Sequence, residues 1–371
     1  MRQGTANLPL RYGHVPRWLF PRMVGLATEI AGWIVLEQGT GALLRRLSDP
    51  VWFQAFGAVI GMDWNTSGVT TTVCAALKQG LQERHELGLV VAGGKGATSR
   101  RTPQELAEAG ERLGFDPAPY IAASRLTAKV DNNALQDGYQ IYHHVFLVDR
   151  EGQWAVIQQG MHDGSGTARR YHWLSADVRS FVADPHTAIA SEATGSVWNL
   201  VAGSSAAARD VTASLARERP EQVVTEFERL RTLSLPTYSD VRPEDIDPKH
   251  LHRILLKTYE RQPEDFATLL AMEGVGARTL RALSLMAELV YQAPVSITDP
   301  ARFSFAHGGK ANYPYPVDRT TYDQSIQTLQ TAVERAKVGE RDRMEALKRL
   351  GAWNDAPVPT EESEPETPDG D

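Results

Sequence analysis

The residues best placed to do chemistry are two glycines around a valine, Gly274-Val275-Gly276, set between two apolar-periodic segments. Upstream, Phe266, Leu269 and Leu270 share one helical face, with Pro263 in the role of a first-turn proline. Downstream, Leu280, Leu283, Leu285, Met286, Leu289 and Val290 recur at helical spacing. Glycine reaches positive φ and carries no side chain. The turn can therefore be tight, and the amides opening the second helix can approach an anion at the positive end of its dipole. The predicted chemistry is capture of a phosphate by Gly274, Val275, Gly276, Arg278 and Thr279. Such a contact positions DNA without reading its sequence.

A second polar set gathers in the N-terminal half: Lys95, Arg100, Arg101, Lys129, Asp131, Asp137, His143, His144, Gln158, Gln159, Arg169, Arg170 and His172. Gly93-Gly94-Lys95-Gly96, at a strand end, offers backbone amides and one ammonium to a phosphate, without the spacing of a nucleotide-binding P-loop. Together with Arg100, Arg101, Arg169, Arg170 and Lys310 it is expected to meet DNA backbone, with salt-dependent affinity. Metal-dependent strand cleavage would need ligands converging on the scissile phosphate. Asp131, Asp137, His143 and Gln158 are the candidates, and a divalent metal enters only on this reading. Gln158-Gln159-Gly160 stands where a metal nuclease would carry an acid and a lysine, which counts against it. His143-His144 reads equally well as one buried and one surface histidine.

The two-glycine hairpin resembles the helix-hairpin-helix motif of repair glycosylases, ligases and nucleases. In the glycosylases a Pro-containing loop and a catalytic aspartate follow the second helix, so the resemblance implies that role for Asp299, after Pro294 and before Pro300. Bifunctional members carry a lysine after the second glycine. Ala277-Arg278 stands here, and arginine forms no Schiff base, so the resemblance implies a monofunctional reaction. Thr298 and Asp299 are also ordinary N-cap candidates.

A longer resemblance runs from Gly4 to about Leu350. It is carried by Ser67-Gly68-Val69-Thr70-Thr71-Thr72-Val73-Cys74, Gln136-Asp137-Gly138-Tyr139-Gln140-Ile141-Tyr142-His143-His144, Ala168-Arg169-Arg170-Tyr171-His172-Trp173 and Phe305-Ala306-His307-Gly308-Gly309-Lys310, with shorter matches between. The chain resembles an archaeal and bacterial family catalogued only as a domain of unknown function, a name that implies no activity. The family pattern usually has an aspartate after the Gly-Gly-Lys loop, where Ala311 stands here.

Composition sets outer limits. With 371 residues and 42% hydrophobic content, the chain can bury a substantial core. The lone Cys74 allows no intramolecular disulfide and no thiolate zinc cluster. The apolar run from Met23 to Leu36 contains Glu29 and is too short to span a bilayer. A cytoplasmic protein without membrane partners is the expectation. Net charge is −7, but the segment from Ala352 to Asp371 holds seven acids and no Lys or Arg, which leaves 39 basic and 39 acidic residues in the rest. DNA affinity would therefore need basic residues gathered in patches.

The elements that must position these groups follow from periodicity. Residues 17–38, 50–61 and 69–81 predict helices, 87–92 a short buried strand, and 139–149 with 153–161 a β-hairpin turning at Arg150-Glu151-Gly152. A helix is predicted around 220–233, and one long final helix over 322–350. The fold class is α+β: a mixed N-terminal domain with a β-hairpin and helices over 1–235, a mainly α-helical domain containing the helix-hairpin-helix over 236–350, and a disordered acidic tail over 351–371. The expected function is DNA binding and processing of repair type, in the form of a glycosylase-like enzyme. The alternatives are a metal-dependent nuclease using the N-terminal acids and a non-catalytic nucleic-acid-binding adaptor.

Overall fold

The computed structural model describes residues 15–62, 67–191, 194–231, 242–301, 319–336 and 338–354. The fold is α+β. Its centre is an antiparallel five-stranded sheet formed by β1 (Leu89–Lys95), β3 (Gln140–Asp149), β4 (Trp154–His162), β5 (Thr167–Leu174) and β6 (Ala188–Ala190), in the order β1-β3-β4-β5-β6. A smaller antiparallel sheet pairs β2 (Leu135–Gln136), β7 (Ser196–Asn199) and β8 (Ser296–Thr298) in the order β2-β7-β8.

Helices cover both faces of the large sheet. On one face lie α1 (Phe20–Gln38), α2 (Thr40–Leu47), α3 (Pro50–Ile60) and α4 (Gly68–Leu81), joined by the C-terminal α12 (Arg319–Arg335) and α13 (Glu340–Asn354). They pack on Leu89, Val91, Val145, Leu147, Ala155, Ile157 and Leu174. On the other lie α5 (Thr102–Leu113), α6 (Ala118–Lys129), α7 (Ala206–Leu215), α8 (Pro220–Arg231), α9 (Pro248–Arg261), α10 (Phe266–Ala271) and α11 (Ala277–Tyr291). They pack on Val90, Ala92, Phe146, Val148, Val156, Tyr171 and Trp173. Successive strand residues point to opposite faces, so a strand buried on both sides loses the apolar–polar alternation of a half-exposed one. That explains why both faces of the β3–β4 hairpin mix apolar and polar residues.

Local chemistry accounts for where elements start. Asp49 accepts from the amides of Val51 and Trp52 and opens α3 just before Pro50, the preferred first-turn position for proline. Asp265 accepts from Thr268 N at 2.7 Å and starts α10. The first hairpin helix therefore begins at Phe266 and not at Pro263, because Gln262, in left-handed conformation, ends α9 just before it. Other elements depart from the sequence expectation. β1 runs on through Gly93 and Gly94 to Lys95, and residues 167–174 form a full strand. The predicted final helix is two helices, α12 and α13, separated around Gly339. Residues 351–354, predicted to begin the disordered tail, belong to α13, and Lys310 and residues 355–371 lie outside the described residues.

Candidate functional site

Two regions carry the polar groups that the sequence singled out. The first is the hairpin between α10 and α11. Gly274 is exposed at φ +88°, a conformation L side chains rarely adopt. Gly276 is the N-cap of α11 in extended backbone, and no side chain caps the helix there. Val275 and Thr279 are buried, Gly276 and Ala277 are half-buried and Arg278 is exposed. The amides of the first turn of α11 therefore open beside a residue without a side chain. The carbonyls point elsewhere: Lys129 Nζ donates to Met272 O at 2.5 Å and Val275 O at 3.1 Å, and Gln136 Nε2 donates to Ala277 O at 2.9 Å.

The second region is the middle of the large sheet, where three tandem pairs stand on neighbouring strands: His143-His144 on β3, Gln158-Gln159 on β4 and Arg169-Arg170 on β5. One member of each pair faces the α5–α11 side. There Ser124 hydroxyl and His144 Nε2 are 2.8 Å apart, His144 Nδ1 and Gln158 Oε1 3.0 Å, and Gln158 Nε2 donates to Asp131 Oδ2 at 2.5 Å. Trp173 Nε1 donates to the same oxygen at 3.0 Å, and His186 Nε2 meets Asp131 Oδ1 at 2.5 Å. An amide oxygen only accepts, so His144 carries its proton on Nδ1 and Nε2 accepts from Ser124. Burial holds this imidazole neutral, its pKa lowered to about 4. Asp131 is fully buried, and desolvation raises its pKa against the opposing pull of His186 and Trp173. It sits in a π turn, Val130–Ala134, a locally widened turn that continues α6.

Arg169 lies beside this chain, between two carboxylates. Nη1 meets Asp137 Oδ2 at 2.8 Å, while Nη1 and Nη2 grip both oxygens of Asp299 at 3.1 and 2.8 Å. Asp137 also accepts from the Tyr171 hydroxyl and the Tyr139 amide, and Asp299 from the amides of Gly195 and Ala301. Desolvation opposes the charge on Arg169, but Asp137 and Asp299 outweigh it and push its pKa up.

The other members face α1–α4. Gln159 accepts from Thr70 and donates to Ser67 O and to the Tyr142 hydroxyl. Arg170 donates to Gln54 at 3.1 Å and lies over the Phe53 ring, and burial lowers its pKa to about 9. His143 is 1% exposed with neither ring nitrogen hydrogen-bonded among the described residues, and burial, then His144 and Lys95, lower its pKa to about 3.

The sequence-predicted residues thus separate. Asp137, Arg169 and Asp299 come together; Asp131 joins His186 and Gln158; His143 is on the opposite face. Among the described residues, no three His, Cys, Asp or Glu side chains are grouped to hold a metal ion. Arg169 and Arg170 are 2% and 0% exposed, turned inside and away from any phosphate on the surface. Lys95, Arg100 and Arg101 are exposed at the end of β1, but Glu105 already accepts from the Gly93 amide at 2.8 Å and pairs with Lys78. Asp299 follows β8 and turns back onto the Ala301 amide. Sequence reasoning did not single out His186, Ser124 or Tyr139. His186 is a lone histidine after Pro185, with no spacing that ties it to Asp131.

The chain belongs to the family described as Protein of unknown function (DUF763), which it matches over residues 4–317. No curated protein and no solved structure matches it. No helix among the described residues is long and apolar enough to cross a membrane.

Proposed function

We propose that this protein binds DNA through the backbone and serves a repair-type DNA-processing role. The observation that carries the reading is the α10–α11 hairpin: an exposed Gly274 at φ +88° and a half-buried Gly276 leading into a helix start that no side chain caps. First-turn amides that no side chain among the described residues caps, at the positive end of a 15-residue helix, suit a phosphate oxygen. Exposed Arg278 adds a cation beside them. Nothing at this loop reads base edges, so affinity is sequence-independent and falls steeply with salt.

The decisive substitution is Gly276→Val. Gly276 has extended backbone that any residue adopts, and the nearest atom to an added Cβ is Asn133 Oδ1 at 3.9 Å. The fold should persist while the side chain blocks the amides, weakening duplex binding by roughly tenfold in a fluorescence-anisotropy titration. Unchanged affinity in the folded variant overturns the reading.

A second reading, hydrolysis of the bound DNA, is favoured by the Asp131–His186 contact. A buried carboxylate on Nε2 holds one tautomer of a histidine whose side chain is 7% exposed, and Nδ1 makes no hydrogen bond among the described residues. In that reading Nδ1 accepts the proton of an attacking water. Asp299, by contrast, has its two oxygens engaged by Arg169 and two backbone amides, which leaves less of its charge for a developing sugar cation in the glycosylase form. Nicking and abasic-site assays, each with and without EDTA, separate the chemistries. Loss of a metal-independent activity in His186→Ala, with Asp299→Asn still active, supports the dyad; no activity in the parent leaves a binding protein.

A further inference from the structure

A hairpin that meets phosphate with its amides must keep its carbonyl oxygens elsewhere, because a carbonyl facing a phosphate oxygen is repulsive. Here the carbonyl side is gripped from within the protein. Lys129, the last residue of α6, holds two loop carbonyls, and Gln136, beyond the π turn, holds the carbonyl of Ala277. The stretch between them is anchored in turn, because Asp131 is tied to Gln158, Trp173 and His186. Lys129 is half-buried, and its charge lies close enough to exposed Glu273 for the two to interact.

We propose that Lys129 is a positioning residue for the DNA-backbone contact. It turns the carbonyls of Met272 and Val275 inward, leaves the first-turn amides of α11 facing out, and offsets the Glu273 carboxylate that would repel a phosphate. The inference rests on the reading that the hairpin binds DNA. It assigns two cations different jobs: Arg278 touches phosphate, whereas Lys129 acts without touching it.

Salt dependence separates the two roles, because each phosphate-neutralising cation contributes about 0.9 to the slope of log affinity against log salt. The full chain and its variants are titrated with a labelled duplex at several salt concentrations, well below their melting temperatures. Lys129→Met should weaken binding by roughly tenfold with the slope unchanged, and Lys129→Arg, which can still donate to both carbonyls, should recover most of the loss. Arg278→Ala should lower the slope by about 0.9. Should Lys129→Met fail to fold, Lys129→Gln, with donors for one carbonyl, carries the same test. A parent that does not bind duplex overturns the DNA reading itself. Parent binding matched by Lys129→Met, even with a lowered melting temperature, overturns the positioning role alone. A slope reduced by about 0.9 in Lys129→Met also overturns it, since it would make Lys129 a phosphate contact.

Discussion

The two faces of the central sheet receive the same three residue types and treat them oppositely. His144, Gln158 and Arg169 point to the side where Asp131, Asp137 and Asp299 wait, and each joins a chain of donors and acceptors that ends on a carboxylate. His143, Gln159 and Arg170 point to the side of α1–α4, where the partners include Thr70, Gln54, Tyr142 and a backbone carbonyl. One arginine is pushed up by neighbouring carboxylates and the next is lowered to about 9 by burial. Among the described residues one histidine has both nitrogens engaged and the next has neither. Residue type sets what a side chain can do, and the face it enters decides what it does.

The largest break in this contrast should come from Arg169→Met. Removing the guanidinium leaves the carboxylates of Asp137 and Asp299, 0% and 5% exposed, without their shared cation. Stranding a buried charge costs about 3–5 kcal/mol, measurable as a lowered denaturant midpoint. A loss below about 1 kcal/mol would mean that other hydrogen-bond donors satisfy the two acids without the guanidinium.

The histidine pair sharpens the contrast at smaller scale. His144→Leu strands the Gln158 oxygen and the Ser124 hydroxyl, for a cost of about 1–3 kcal/mol. His143→Leu removes two nitrogens that have no partners among the described residues, so it should be neutral or stabilising. Equal losses in the two variants would show that His143 makes a bond to something bound within the fold.

Acid sensitivity follows from the same pair. His143 and His144 are held at about 3 and about 4, below the ordinary value near 6.5, so the unfolded chain binds protons in that window and the native chain does not. Their contribution to stability is complete above about pH 6.5 and is lost as pH falls toward 4 and then 3. His143→Leu should flatten the fall by up to about 1.4 kcal/mol per pH unit, read from urea midpoints between pH 4 and 6.5. An unchanged slope would place the acid sensitivity elsewhere.

The smallest effect concerns Cys74, on the α1–α4 side. Burial pushes its thiol up to about 12, and the side chain is 2% exposed. An aromatic disulfide reagent at pH 8 should label it only as fast as the protein unfolds. Rapid labelling of native protein would show that this face opens.

Much of the scaffold was legible in the chain. The β3–β4 hairpin, α1, α3, α4, α8 and the two helices around Gly274 follow from short-range periodicity, turn glycines and capping aspartates, all of which act within a few residues. β5 was harder to read because Arg169, Arg170 and His172 break an apolar strand pattern; they are tolerated inside only because acids, hydroxyls and carbonyls from distant segments meet them. Gly339 divides the last helical stretch in a region whose apolar stripe by itself read as continuous.

What the sequence determined alone is the inventory and, on the predicted hairpin, its alternation: His143-His144 and Gln158-Gln159 must each send one member to each face, since successive side chains point opposite ways. Which member meets carboxylates depended on segments far along the chain. Asp299 reaches Arg169 across 130 positions, His186 reaches Asp131 across 55, and Lys129 reaches the hairpin across 143. No local propensity encodes such pairings. They exist because a buried charge or carbonyl is stable only when another segment brings the complementary group within hydrogen-bonding distance, and only the packed tertiary structure supplies it.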